Sequence, residues 1–253
     1  EEPKRMAMKF FAIVFTAWWF ASLQPLNAAP THSDVRYSDK YDRSLLDVWV
    51  TKSDKPAPLV VYFHGGGFKN GDKSRIERSS FLRKYGPRGV AFASVNYPFV
   101  QHTDKDYFAI LNHTSLAIRY LHKHAEKYNI DPKRISVMGS SAGALISCYL
   151  GHAMKLPIRS VYAFQQPMGT PVLNVPFLRK DGPPILLYNS SSPKDRVHHP
   201  KNAQIIHDLC QKLGAHSEVY GSKVSGLPPL PKGSELTDVV MDFFYKSWNI
   251  PSP

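Results

Sequence analysis

The sequence is poor in features that mark several protein classes. Its 253 residues hold only 2 cysteines, too few for a disulfide scaffold, and a structural zinc site takes four Cys/His ligands. Basic residues outnumber acidic ones by 32 to 20, for a net charge of +12. They are scattered singly or in pairs with no run of five, so the concentrated patch of a dedicated nucleic-acid-binding protein is missing. The apolar run Phe10–Leu23 is 14 residues long, short of the roughly 20 that a membrane-spanning helix needs.

What is present reads first as an address. Lys4, Arg5 and Lys9 precede that apolar run, and the small residues Asn27-Ala28-Ala29 follow it. A basic start, a short apolar core and a small-residue end predict a secretory signal peptide over residues 1–29, with a single domain over 30–253. The expected location is therefore secreted or periplasmic, with no stable membrane insertion after cleavage. The mature chain would keep a charge of +11, which favours anionic neighbours such as acidic polysaccharide. An exported setting allows Cys148 and Cys210 to pair, but both lie in helical apolar stretches, and two separate buried thiols are the simpler reading.

Beyond residue 34, strand-like and helix-like segments alternate. Strands are predicted at 45–51, 59–63, 90–96, 135–139, 160–164, 185–189 and 217–220, several as the continuous apolar runs of parallel strands buried on both faces. Helices are predicted at 74–85, 106–128, 142–153, 201–213 and 235–248. In the second of these, apolar Ile110, Ala117, Ile118, Leu121 and Ala125 recur at helical spacing. The pattern predicts one α/β domain with a mainly parallel central sheet flanked by helices.

Two motifs carry chemistry. Gly139-Ser140-Ser141-Ala142-Gly143 fits G-x-S-x-G between a predicted strand and a predicted helix, the context in which that pattern forms a nucleophile elbow. The turn is so tight that side chains at positions 139 and 143 would collide with backbone. His64-Gly65-Gly66-Gly67-Phe68 follows another strand, and consecutive glycines let backbone N–H groups approach an oxyanion.

With these motifs the sequence resembles the α/β-hydrolase superfamily, in the esterase/lipase branch that includes hormone-sensitive-lipase-like, feruloyl and acetyl-xylan esterases. The resemblance runs from about Tyr37 to Trp248 and is most specific in VVYFHGGGFKNGDKS, SVNYP and AIRYLHKHAEKYNIDPKRISVMGSSAGA. It implies the α/β-hydrolase fold, Ser141 as nucleophile of a cofactor-free ester hydrolase, and Gly66, Gly67 and Ala142 as oxyanion-hole donors. His64 would brace the glycine loop. The acid falls at Asp195, after the strand PILLYNS.

The family's histidine is expected after the last strand, and there the sequence departs: no histidine follows His216. A serine is a weak nucleophile until a base takes its proton. Three readings stay open. A histidine from elsewhere reaches Ser141, with His198 and His199 the best placed; or the base is lost and the domain binds glycan or lipid without turnover; or Tyr97 or a water substitutes weakly. The His198-His199 pair lacks a third nearby ligand for a metal.

About 20 residues, 165–184, separate two predicted strands where many relatives insert a cap, so no sizeable lid is expected. An open site suits bulky or polymer-attached esters, and the expected partner is a small-molecule or polysaccharide-linked ester. Phe68 and Tyr97 are candidate substrate contacts, with core packing the alternative for both. Oligomeric state is not legible in the sequence.

Overall fold

The computed structural model describes residues 29–253; the predicted signal peptide lies almost wholly outside the described residues. One sheet of eight strands runs through the fold, in the order β1-β2-β4-β3-β5-β6-β7-β8. These are β1 His32–Arg36, β2 Leu45–Trp49, β3 Ala57–Phe63, β4 Ala91–Val95, β5 Ile130–Ser140, β6 Val161–Phe164, β7 Ile185–Asn189 and β8 Ser217–Gly221. β2 pairs antiparallel with both β1 and β4 at one edge, and every other neighbouring pair is parallel. The helices are α1 Ser80–Tyr85, α2 Tyr107–Lys123, α3 Ala142–His152, α4 Thr170–Leu173, α5 Lys201–Leu213 and α6 Leu236–Trp248.

The central strands are apolar on both sides because both sides are covered. Leu59, Val61, Val137 and Ala163 face one core with Ile118 and Ile146 of α2 and α3 and Ile206 of α5. Val60, Met138, Tyr162 and Leu186 face a second core with Leu82 of α1 and Phe244 of α6. Strand alternation assigns successive residues to the two cores.

Three elements differ from expectation. The edge strand β1 has too little apolar content to stand out, its outer residues being largely exposed. The predicted helix 74–85 divides at Ser79, which is extended (φ −73°, ψ 137°) and whose hydroxyl accepts from the Phe81 N–H to cap α1. The predicted helix 106–128 ends at Lys123, and a short 3-10 turn, Glu126–Tyr128, leads to Asn129 in the left-handed region (φ 49°). At Asp131-Pro132 strand β5 is irregular, since Ala57 pairs with Ile130 while Leu59 pairs with Ile135.

Cys148 and Cys210 are free, buried thiols, the simpler of the two readings. Burial raises the pKa of both. No helix among the described residues is long and apolar enough to cross a membrane.

Candidate active site

The parallel strands end together, and the central one, β5, delivers Ser141 at that edge. Ser141 adopts φ 54°, ψ −115°, a conformation that costs a non-glycine residue on the order of 1–3 kcal/mol and persists only where its surroundings impose it. They do. Its N–H donates to Phe164 O (2.9 Å) on the neighbouring strand, and its carbonyl accepts from Ala144 N–H at 2.9 Å. A Cβ at Gly139 would stand 2.2 Å from Gly143 O, and one at Gly143 would stand 1.9 Å from Phe63 O. Only glycine fits at either position.

The glycine loop closes against this elbow. A Cβ on Gly65 would sit 2.9 Å from Ser140 O, so the backbones are in close approach. Gly66 (φ 128°) turns the loop, its carbonyl accepting from the N–H groups of Lys69 and Asn70. Gly67 and Ala142 border the cleft beside Ser141.

His64 is fully buried beneath this loop, its Nδ1 2.8 Å from Gly65 O and its ring stacked on Tyr97 with centroids 4.4 Å apart. Burial pushes its pKa down to about 4. The Tyr97 hydroxyl donates to His64 O (2.6 Å). Tyr97 is thus part of the core under the glycine loop and does not touch the cleft, correcting its expected substrate contact; Phe68 does line the cleft. Arg43, which sequence reasoning missed, ties these pieces together: it donates to Tyr97 O (3.1 Å) and Gly71 O (3.0 Å), with its guanidinium 3.8 Å from the Phe99 ring centroid.

The imidazole arrives from the loop after β7. His198 Nε2 lies 2.9 Å from Ser141 Oγ. Its Nδ1 lies 3.4 Å from Asp195 Oδ2, a looseness typical of unliganded sites. Asp195 Oδ1 accepts from the N–H groups of Val197 (2.9 Å) and His198 (2.8 Å), and Oδ2 accepts from the Ser191 hydroxyl (2.8 Å). The His198 N–H first, then that hydroxyl, holds the carboxyl down at about 2. Asn189, buried at the end of β7, donates to His198 O and accepts from Ser191 N–H. Gln165 donates to the hydroxyls of Ser190 and Ser191.

His199 is not part of this cluster. Its Nδ1 accepts from the Lys201 N–H (3.1 Å), at the entry to α5. Ser141, Asp195 and His198 are therefore brought together and His199 is left out. Ser191 and Gln165 carried no signal in the sequence, because their roles depend on which strands are neighbours.

The cleft over Ser141 has a volume of about 460 Å³ and is largely apolar, with Phe68, Leu145, Leu173 and Val197 on its walls. Segment 165–184 forms no lid; it folds into α4 and a short 3-10 turn and makes one wall. Its Met168 and Val172 are 68% and 63% exposed at the rim. No group of three or more His, Cys, Asp or Glu residues that could hold a metal occurs among the described residues.

The BD-FAE family model matches residues 46–169, just under half of the chain. A carboxylesterase, patB, of Penicillium expansum is 30% identical over 207 residues, covering 74% of this chain and 36% of that protein. The chain thus spans about a third of the length of this curated relative. A truncated carbohydrate esterase from gut microbiota superposes with a TM-score of 0.69 at 18% identity, covering 88% of this chain and 98% of the other. An acetyl ester-xyloside bifunctional hydrolase from Caldicellulosiruptor lactoaceticus superposes at 0.65 and 18%, covering 82% and 89%.

Proposed function

We propose that the chain is an α/β-hydrolase of the esterase branch, to whose members it is similar, and a serine carboxylic-ester hydrolase working through an acyl-enzyme on Ser141. The observation that carries the reading is His198 Nε2 at 2.9 Å from Ser141 Oγ, with Asp195 on the far side of the ring. His198 takes the hydroxyl proton as Ser141 attacks the ester carbonyl, and Asp195 fixes the tautomer with Nδ1 protonated. The developing oxyanion is met by the N–H groups of Gly67 and Ala142, each such donor contributing about 3 kcal/mol to the transition state. His198 then protonates the leaving alcohol, and a water activated by the same ring releases the acid. Gly66, in the same glycine loop, is a further candidate donor.

The substrate reading is finer. The wall formed by 165–184 leaves the cleft open from above, and an excess of basic over acidic residues, 32 to 20, draws acidic polymers. Both support acyl or feruloyl esters carried on polysaccharide. The proposal includes export to a secreted or periplasmic location, resting on the sequence pattern of residues 1–29. The alternative of a binding domain without turnover drew on the absence of a histidine after β8, and His198 within hydrogen-bond reach of Ser141 takes that support away.

The test is hydrolysis of p-nitrophenyl acetate and butyrate by the protein and by Ser141→Ala. Turnover that the substitution abolishes is expected; equal, near-background rates in both would overturn the reading. Acid release from acylated polysaccharide tests the substrate class, and activity confined to short soluble esters would remove it.

A further inference from the structure

A second cavity, of about 270 Å³, lies on the opposite face of the sheet from the cleft. It opens between α1, α6 and the ends of β3, β5 and β6, and Gly139 and Ser140 of the nucleophile elbow form part of its wall. Its floor and sides are aromatic and apolar, with Tyr62, Phe81, Met138 and Phe164 contributing. Two polar features break that lining. Tyr162 is only 4% exposed, and its hydroxyl, which has no hydrogen-bond partner among the described residues, opens onto the cavity. Arg75 stands at the mouth; one guanidinium nitrogen, Nη1, donates to Gly65 O at 3.2 Å. Its Nε and Nη2 have no acceptor among the described residues.

We propose that this cavity is a second ligand site, for a small carboxylate with an apolar or aromatic body. The Tyr162 hydroxyl can donate to an acceptor held in the cavity. A guanidinium with two free parallel donors suits a carboxylate above other anions of that size. The apolar walls take the body of the molecule and exclude a bare inorganic anion, which leaves them uncovered. Small-molecule sites have this composition, an apolar enclosure with few convergent polar groups, and the volume falls just below their usual range, which suits a small acid. Such acids are also what ester hydrolysis releases; that clause alone rests on the proposed activity, and the site stands without it.

The two cavities can be read separately because each has its own methionine, Met138 here and Met168 in the cleft. The probe is 3-phenylpropanoate, titrated into Ser141→Ala protein carrying 13C-methyl methionine and followed by NMR. The expected result is a saturable shift of the Met138 methyl, with 3-phenylpropanamide at least tenfold weaker. Arg75→Met is expected to weaken binding about tenfold and Tyr162→Phe a few-fold, matching the loss of a charge-assisted and a neutral hydrogen bond. An unmoved Met138 at millimolar probe, a response at Met168 alone, or an affinity indifferent to Arg75→Met would overturn the site. None of these readouts uses turnover, so failure of the esterase reading leaves the result intact.

Discussion

The loops that follow β7 and β8 leave the same edge of the sheet and differ in what they carry. The second is where the family's histidine is expected. It instead folds on itself, with Gly221 N–H donating to Pro228 O and the Ser225 hydroxyl to Ser222 O, and it leaves Val224 60% exposed. The first holds Asp195 and His198 three residues apart, locked by two N–H bonds from Val197 and His198 to one carboxylate oxygen. The proposed acid and base form one local turn. Their relative geometry depends on a few backbone angles, where the usual arrangement needs two loops to stay in register. A catalytic base is defined by its position in space relative to Ser141, and strand order does not prescribe which loop must supply it.

The largest effect that could break this contrast lies in the histidine pair. His198→Ala is expected to lower kcat for p-nitrophenyl acetate by roughly 10⁴–10⁶, as Ser141→Ala should, since members of one catalytic unit fail together. His199→Ala should stay within about threefold, because it loses only a cap on Lys201 N–H. Parallel kinetics of the three variants decide it; a loss concentrated in His199→Ala would assign the base to the wrong neighbour.

Next comes the acid. Asp195→Asn keeps the shape but presents an amide where Nδ1–H needs an acceptor of negative charge, and kcat should fall by roughly 10³–10⁴. Because the carboxyl is held at about 2, Asp195 stays ionised throughout the range in which esters are assayed. A fall below tenfold would show that the 3.4 Å contact does no catalytic duty.

The fold and the elbow were legible in the sequence because local pattern and local chemistry agreed there. Ile185–Asn189 and Lys201–Leu213 have the predicted bounds, one an apolar run and the other a helix closed by Gly214 at φ 71°. Gly139 and Gly143 could be argued from the tightness of the turn alone. Tyr97 shows the limit: an aromatic after a strand end reads alike as pocket wall or core, and only the stacking on His64 separates the two. The choice between His198 and His199 was equally hidden. Successive side chains diverge, and which one meets Ser141 depends on the Asx-like turn at Asp195 and on Asn189, which anchors the His198 carbonyl from 9 residues away. Arg43 and Arg75, from distant segments, meet the glycine loop only after folding.

Acid sharpens the contrast between the site loop and the scaffold beneath it. Burial lowers the pKa of His64, His113 and His152 to about 4, against roughly 6.5 in the unfolded chain. Between those values the unfolded state binds protons that the folded state refuses, so stability falls as pH drops from 6.5 to 4 and levels off below. For His64, fully buried, the loss approaches about 3 kcal/mol. Over the same window the Asp195 carboxylate does not titrate. Melting temperatures measured from pH 7.5 to 4 should therefore decline steadily, and a flat profile would mean that these rings find protons without unfolding.

The smallest effect compares one serine from each loop. Ser191 donates its hydroxyl to Asp195 Oδ2 at 2.8 Å, the oxygen that faces His198 Nδ1. The hydroxyl of Ser222, in the β8 loop, donates to Ser190 O at 2.9 Å, and its N–H donates to Asn189 O at 3.1 Å. Ser191→Ala removes a bond to a charged group, worth about 1.5–3 kcal/mol where it is sheltered. Asp195 is half-exposed, and water replaces part of that bond, so kcat should fall about tenfold with KM unchanged. The carboxyl pKa should rise as well, since a stabiliser of the charged form is gone. Ser222→Ala, which weakens only a brace between two loops, should cost less than about threefold. If the two substitutions prove equal, the β8 loop contributes to acid–base geometry after all, and the autonomy of the Asp195–His198 turn fails with it.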